Sequence, residues 1–588
     1  MGLFQNAVET YDALEHLAGV PQAGKKVTLA PVGHMTTKAK IEITIDGEGQ
    51  FVRAQKVDRT ILFPATEESS GRTSGKVAHP LCDQLGYLTS YDAEKNELFL
   101  SQLTDWADSA FTHPKISAIL KYLKSGTLAD DLKQAELLQL DEAGKLKNDK
   151  DFVCWRVLTD DEYNSAVWED KSLMKAFTDY YLARKSKESG DICMISGEET
   201  ATTSQHLKGV VPASGNAKLI SSNDTINYTY RGRFTDEKEA VSIGYESSQK
   251  AHNALKWIVA NDGVSLGGGR TMICWNPQGK IVPRPHNVLR KREKDEKISP
   301  SSYKAELEKV IWGYKKDFSP SDKAVIAIFD AATTGRLSVA YYNELDASDF
   351  LERLRYWDET CCWYDSRWGV ETPSLFDLTD FAYGDIRNGG MEADDRIKAQ
   401  QMQRLISCRI DQKALPLDLM RRLEQKAANL QIYDKKGLRD QLLFITCAVI
   451  KKYRWDHLKE EWDMALETDK KDRSYQYGRL LAVMEKAERD TYKNGEERET
   501  NAIRLQSIFV KRPAYAASLI MNQLKQAYYP QLSAGTRNYY EKLIGEIMSV
   551  ISDCGEEQYN KPLQETYLLG YYLQKNALYT KKEAVEEE

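Results

Sequence analysis

Between Lys218 and Trp275 the chain interleaves aromatic rings with guanidinium groups: Tyr228, Tyr230, Arg231, Arg233 and Phe234 fall in one short stretch. Flat π faces stack on bases, and a planar guanidinium grips phosphate oxygens in pairs, so this mixture suits polynucleotide contact better than bond-breaking chemistry. Lys250 follows on a helical segment and adds a further cation. Plain packing of the aromatics in a core is the competing reading. Gly267-Gly268-Gly269 lies between a helix and a strand, without the strand-before-helix order of a dinucleotide fingerprint, and reads as a turn.

A second candidate is Ser69-Ser70-Gly71-Arg72-Thr73-Ser74-Gly75-Lys76, ahead of His79-Pro80-Leu81-Cys82-Asp83. Small hydroxyls, glycines and cations make a loop whose backbone can press close to a phosphate or a base edge. It is not a Walker loop, because the glycine spacing is one residue short and no Ser or Thr follows Lys76 to hold magnesium. Taken alone, its residues read most simply as a solvated surface loop. Cys193 and His206 supply two of the four ligands a zinc site needs, so a buried thiol and a hydrogen-bonded imidazole are favoured. Around them, Lys208, Asn216, Lys218 and Asn223 are donors suited to a nucleic-acid backbone. Arg284–Lys297 is basic but broken by acids and prolines, and reads as an exposed loop. Asp330 has no carboxylate or histidine partner nearby in sequence and reads as structural. HExxH and a complete Walker motif are absent, so the chain reads as non-enzymatic, with no cofactor or metal expected.

The elements that must carry these residues change character along the chain. Strands are predicted at Lys26–Ala30, Lys40–Ile45, Phe51–Gln55, Thr60–Phe63, Glu97–Leu100, Phe152–Val157, Lys218–Ser222, Thr271–Trp275, Ala324–Phe329 and Arg336–Tyr341. Helices are predicted at Leu3–Ala18, Pro114–Leu123, Lys171–Arg184, Glu237–Ala260 and Ser302–Lys315. Strands and helices do not alternate regularly, which argues for an irregular α+β assembly rather than a doubly wound fold. After Asn388-Gly389-Gly390 the pattern turns helical, with short connections that favour antiparallel neighbours. The expected organisation is a mixed α/β region over 1–390, a helical connector over 391–463 and an all-α C-terminal bundle over 464–588. On that bundle Arg479, Arg504, Lys511 and Arg512 are cations able to line a track for a DNA strand, although a solvated helical face is the plainer reading.

A chain of 588 residues exceeds a single core and should form two or three domains. A hydrophobic content of 41% and a charged content of 29% are those of an ordinary globular protein. The net charge of −7 argues against coating nucleic acid nonspecifically. It permits one basic groove, since the relevant field acts within about 10 Å at ordinary salt. Nine scattered cysteines without a CxxC pair support neither a disulfide framework nor a zinc ribbon. The first twenty residues do not read as a signal peptide, and a cytoplasmic location is expected.

Several segments together resemble the large subunit of the type I-C CRISPR interference complex (type I-C Cascade). They are SSGRTSG with LCDQLGYL, CMISGE with HLKGVVPASGNAKLISSN, the Lys218–Trp275 stretch, IFDAATTGRLSVAYY, and SYQYGRLLAVMEKAERD with YLLGYYLQ. The resemblance implies a non-catalytic subunit that inspects the short duplex motif beside a target (the PAM), helps separate the strands and contacts the displaced one. It implies that Ser70, Arg72, Thr73, Ser74 and Lys76 touch that duplex. It implies nucleic-acid contacts at Lys208, Asn216, Lys218, Asn223, Arg231, Arg233 and Lys250. The implied partners are a crRNA, a repeat-processing subunit, backbone subunits and a helicase-nuclease. A small subunit is a further partner, which an internal start at Met464 could supply. Two alternatives stand beside this: a nucleic-acid-processing enzyme with a dispersed site, and a pure scaffold.

Overall fold

The computed structural model describes residues 1–72, 75–159, 164–188, 190–221, 232–291, 297–333, 335–433, 436–493, 496–555 and 558–580. It is α+β, with small sheets and a helical C-terminal region. The chain divides into two compact units: Met1–Ser265, Gly269–Ile281 and Asp322–Leu345 form the first, and Leu266–Gly268, Val282–Ser321 and Asp346–Glu588 the second. Residue 390 falls inside the second unit, within a short hairpin that pairs Asp385–Arg387 with Gly390–Glu392.

In the first unit a long hairpin pairs His34–Asp46 with Phe51–Pro64, and Val153–Leu158 adds in parallel to the far side of His34–Asp46. The turn forms at the predicted Asp46-Gly47-Glu48-Gly49 loop, where Asp46 Oδ1 accepts from the backbone of Glu48 at 2.9 Å and Gln50 at 2.8 Å. Gly49 has φ 76°, and a Cβ there would stand 2.7 Å from the Ala118 carbonyl, so both conformation and space require glycine. The predicted strands Phe51–Gln55 and Thr60–Phe63 are one element: pairing continues through Lys56 and Arg59, and a register shift between Ala39 and Ile41 takes up one extra residue. Ile41, Ile43 and Ile45 point into the core, with Val153, Trp155 and Val157 beside them.

The predicted strand Glu97–Leu100 is instead part of the Ala93–Ala107 helix. Asp92 caps that helix, and Phe99, Leu103 and Trp106 bury one face at helical spacing, so local strand propensity gave way to a 3.6-residue period. Lys26–Ala30 is not a strand either, and Lys218 makes only isolated bridges, to Lys208 and to Arg336. The predicted Glu237–Ala260 helix is broken into Glu237–Ala240 and Tyr245–Asp262, with Val241 extended at φ −149° and ψ 113° between them. In a second sheet Arg270–Trp275 runs antiparallel to Lys323–Thr333, whose Ala324–Phe329 core is wholly buried, and Arg336–Asp346 follows. The glycine run before Arg270 is a turn, with positive φ at Gly267, Gly268 and Gly269.

The second unit is built around the Arg473–Arg489 helix, which is buried along most of its length by Thr566–Tyr579 and Ala534–Ser552. Two glycines permit this approach: a Cβ on Gly478 would fall 1.8 Å from the Tyr567 carbonyl oxygen, and one on Gly570 would fall 2.0 Å from that of Tyr475. The helices therefore cross backbone to backbone, at a distance no larger residue allows.

Candidate nucleic-acid interface

The loop after the first hairpin is fastened along the third strand. Val153 donates to the Asp83 carbonyl at 2.9 Å, and the Trp155 indole donates to that of Leu81 at 2.9 Å. Thr66 caps the Glu67–Ser70 turn of helix, and the buried Ser70 hydroxyl donates to the Glu67 carbonyl at 2.8 Å. Arg72 forms a two-pronged bond to Asp83, at 2.9 and 2.8 Å, and donates to the Val77 carbonyl at 2.7 Å. Its guanidinium also lies 4.5 Å from the Tyr87 ring centre. Burial opposes its charge, yet the bonds to Asp83 outweigh that and hold the guanidinium above its ordinary pKa. Arg72 thus shapes the loop from within, and Ser70 does the same. Lys76 stands at the surface, paired with Glu94, and can exchange that carboxylate for a phosphate at small cost. Thr73 and Ser74 lie outside the described residues.

The remaining first-unit candidates separate into paired and unpaired cations. Lys250 lies 2.9 Å from Asp12 and 2.8 Å from Glu246, so its charge is balanced within the fold. Lys208 and Lys218 face each other across an isolated bridge and have no carboxylate partner among the described residues. Burial, then repulsion from Lys208, lowers the Lys218 pKa. Asn216 is exposed on the adjoining loop, and the exposed Arg233 lies 5.1 Å from the Phe234 ring centre. Asn223, Tyr228, Tyr230 and Arg231 lie outside the described residues. Cys193 is fully buried, and His206 is 3% exposed with Nδ1 2.8 Å from the Ser248 hydroxyl, the two structural roles the sequence favoured.

In the second unit the four expected strand contacts part company. Arg479 is 2% exposed and donates to Gln574 at 3.0 Å, to the Thr468 carbonyl at 2.6 Å and to Gln476 at 2.8 Å. A strand in solvent cannot reach it, so the structure corrects that expectation: Arg479 ties helices together. Arg504, Lys511 and Arg512 are exposed and have no acid partner among the described residues. Arg504 ends the Asn501–Arg504 helix, Lys511 and Arg512 stand at the junction of the Gln506–Lys511 and Pro513–Gln523 helices, and Tyr515 follows at 52% exposure. Cations next to an exposed ring form a surface that can hold a backbone and stack a base.

Residues 8–579 match the family described as CRISPR-associated protein (Cas_Csd1). The chain belongs to that family. No curated protein matches it. Among its described residues, no helix is long and apolar enough to cross a membrane, and no group of three or more His, Cys, Asp or Glu could hold a metal ion.

One residue of this Cas_Csd1 chain escaped the sequence reading. Lys256 sits on the Tyr245–Asp262 helix between Leu255 and Trp257, where burial and then Lys208 push it down to about 8. The signal was available: ALKWIV places a lone lysine in an otherwise apolar run, where an ammonium group needs a reason to be.

Proposed function

We propose that this chain is the large, non-catalytic subunit of a Cascade-type surveillance complex of the type I-C kind, assembled on a crRNA with a repeat-processing subunit, backbone subunits and a small subunit. In this arrangement base pairing with the guide reads the target, while the protein inspects the adjacent PAM duplex, by analogy with other RNA-guided effectors. The loop bearing Arg72 and Lys76 meets that duplex. Arg504, Lys511 and Arg512 hold the displaced strand, and the assembled chain supports recruitment of a helicase-nuclease.

The observation that carries the proposal is the family match across residues 8–579. The unbalanced surface cations agree with it, because a chain with net charge −7 otherwise offers a polyanion little to hold.

Two measurements test it. Replacing Arg504, Lys511 and Arg512 together by glutamine should weaken single-strand binding and make its log–log salt slope shallower by about two, at roughly 0.7 per phosphate contact. Incubation with labelled RNA or DNA and divalent metal should leave both intact. Cleavage that disappears with one carboxylate substitution would transfer the chain to the enzymes.

A further inference from the structure

Buried or half-buried cations of the first unit are in several places given carboxylates. Lys115 meets Asp170 at 2.5 Å, Lys185 meets Glu67 at 2.8 Å and Glu188 at 2.7 Å, and Arg72 meets Asp83 at 2.8 Å. Lys208, Lys218 and Lys256 break this pattern. Lys208 repels both of the others, and none of the three has a carboxylate partner among the described residues. Holding like charges together in a half-buried place costs stability, and such an arrangement persists where a ligand supplies the missing charge.

Two further observations lie at the same place. His206 and His252 stack with ring centres 5.8 Å apart, and the Nε2 atom of each is buried without a hydrogen-bond partner among the described residues. Burial keeps both rings uncharged at neutral pH, aided by Lys218 for His206, at about 4, and by His206 before the lysines for His252, at about 3. Lys218 also lines an open cleft of about 590 Å³ together with Ser221, Thr333, Arg336 and Ser338. The acid among its described lining residues, Asp330, is engaged by Arg270 at 2.9 Å. The cleft wall is therefore rich in donors, and its carboxylate is neutralised.

We propose that Lys208 and Lys218, paired across an isolated bridge, form a phosphate-binding site at the edge of this cleft, supported by Lys256, which follows the stacked His252 by about one helical turn, and by the Ser221 hydroxyl. The function proposed above supplies the ligand's identity, a backbone phosphate of a bound polynucleotide. The site itself rests on the lysines and would equally take a free phosphate group.

The test uses the full chain and the variants Lys218→Gln and Lys256→Gln, with Lys175→Gln as the control, since Lys175 is exposed and pairs with Asp179. Binding of a labelled single-stranded oligonucleotide is followed by anisotropy across a salt series, and thermal unfolding is followed with and without inorganic pyrophosphate. Each lysine variant should weaken oligonucleotide binding roughly tenfold or more. It should also flatten the salt slope by about 0.7. Tm without ligand should hold or rise in Lys256→Gln, because a repelled charge has been removed. Lys175→Gln should bind as the unmodified chain does. If the chain binds the oligonucleotide and the lysine variants bind it equally well, the site is overturned while the proposed function stands. If the chain binds no oligonucleotide, but pyrophosphate raises its Tm and fails to raise that of the variants, the site stands for free phosphate and the polynucleotide reading falls. If neither probe acts on the chain, both fall.

Discussion

At the scale of single residues, type was legible and partner was not. Arg72 looks in sequence like a free cation in a glycine-serine loop, yet its fork is closed on Asp83, eleven residues on and 0% exposed. Arg72→Ala should therefore act first on stability. It strands a buried carboxylate, softened by the bonds Asp83 accepts from the backbone of His79 and Gln84, and should cost about 3 kcal/mol in denaturant titration. Arg72→Lys should recover only part of this, because an ammonium cannot make the two-pronged bond. Glu424 gives a second test. Burial, then the charge of Glu565, pushes its carboxyl from the ordinary 4.5 up to about 7. Between those values the folded chain keeps a proton that the unfolded chain releases, so this group lowers stability as pH rises and does so fully above about 7. Glu424→Gln should raise Tm relative to the unmodified chain at pH 8 and lose that advantage below pH 4.5. An advantage independent of pH would contradict the assignment.

At the scale of elements, the sequence was readable where one period dominated. The hairpin around Asp46–Gly49, the buried run Ala324–Phe329 and the long C-terminal helices follow their hydrophobic patterns. Failures came where a short apolar window was compatible with two periods, as at Glu97–Leu100, or where β-branched Val241 and Ile243 interrupt an otherwise helical stretch. The crossing of Arg473–Arg489 with Thr566–Tyr579 was invisible for another reason: Gly478 and Gly570 have ordinary φ values, and only the facing backbone explains them. Gly478→Ala should destabilise the second unit by at least about 3 kcal/mol, at the severe end for overpacking, because neither backbone can yield. Gly545→Ala, in the Ala534–Ser552 helix with nothing within 4 Å of its added methyl, should instead stabilise by about 0.5–1 kcal/mol. Equal effects in urea unfolding would refute the proposed crossing.

At the scale of the whole molecule, the chain's path was the least legible feature. Asp322–Leu345 returns to the first unit after Val282–Ser321 has left it, and composition carries no trace of a return that depends on contacts between distant segments. Family character was legible because it rests on several separated segments in order, and the match over residues 8–579 agrees with it. Candidate binding residues stood out in the sequence only as cations. Which of them stand free depends on what folds around them: burial against amides and a carbonyl separates Arg479 from Arg504, Lys511 and Arg512, and two carboxylates separate Lys250 from Lys218. The most direct test of the central claim is target affinity of the guide-loaded complex, measured with and without this chain over duplexes differing only in the adjacent trinucleotide. The predicted result is tight binding to a restricted subset of trinucleotides, lost when the chain is omitted. Affinity indifferent to the trinucleotide, or unchanged without the chain, would contradict it.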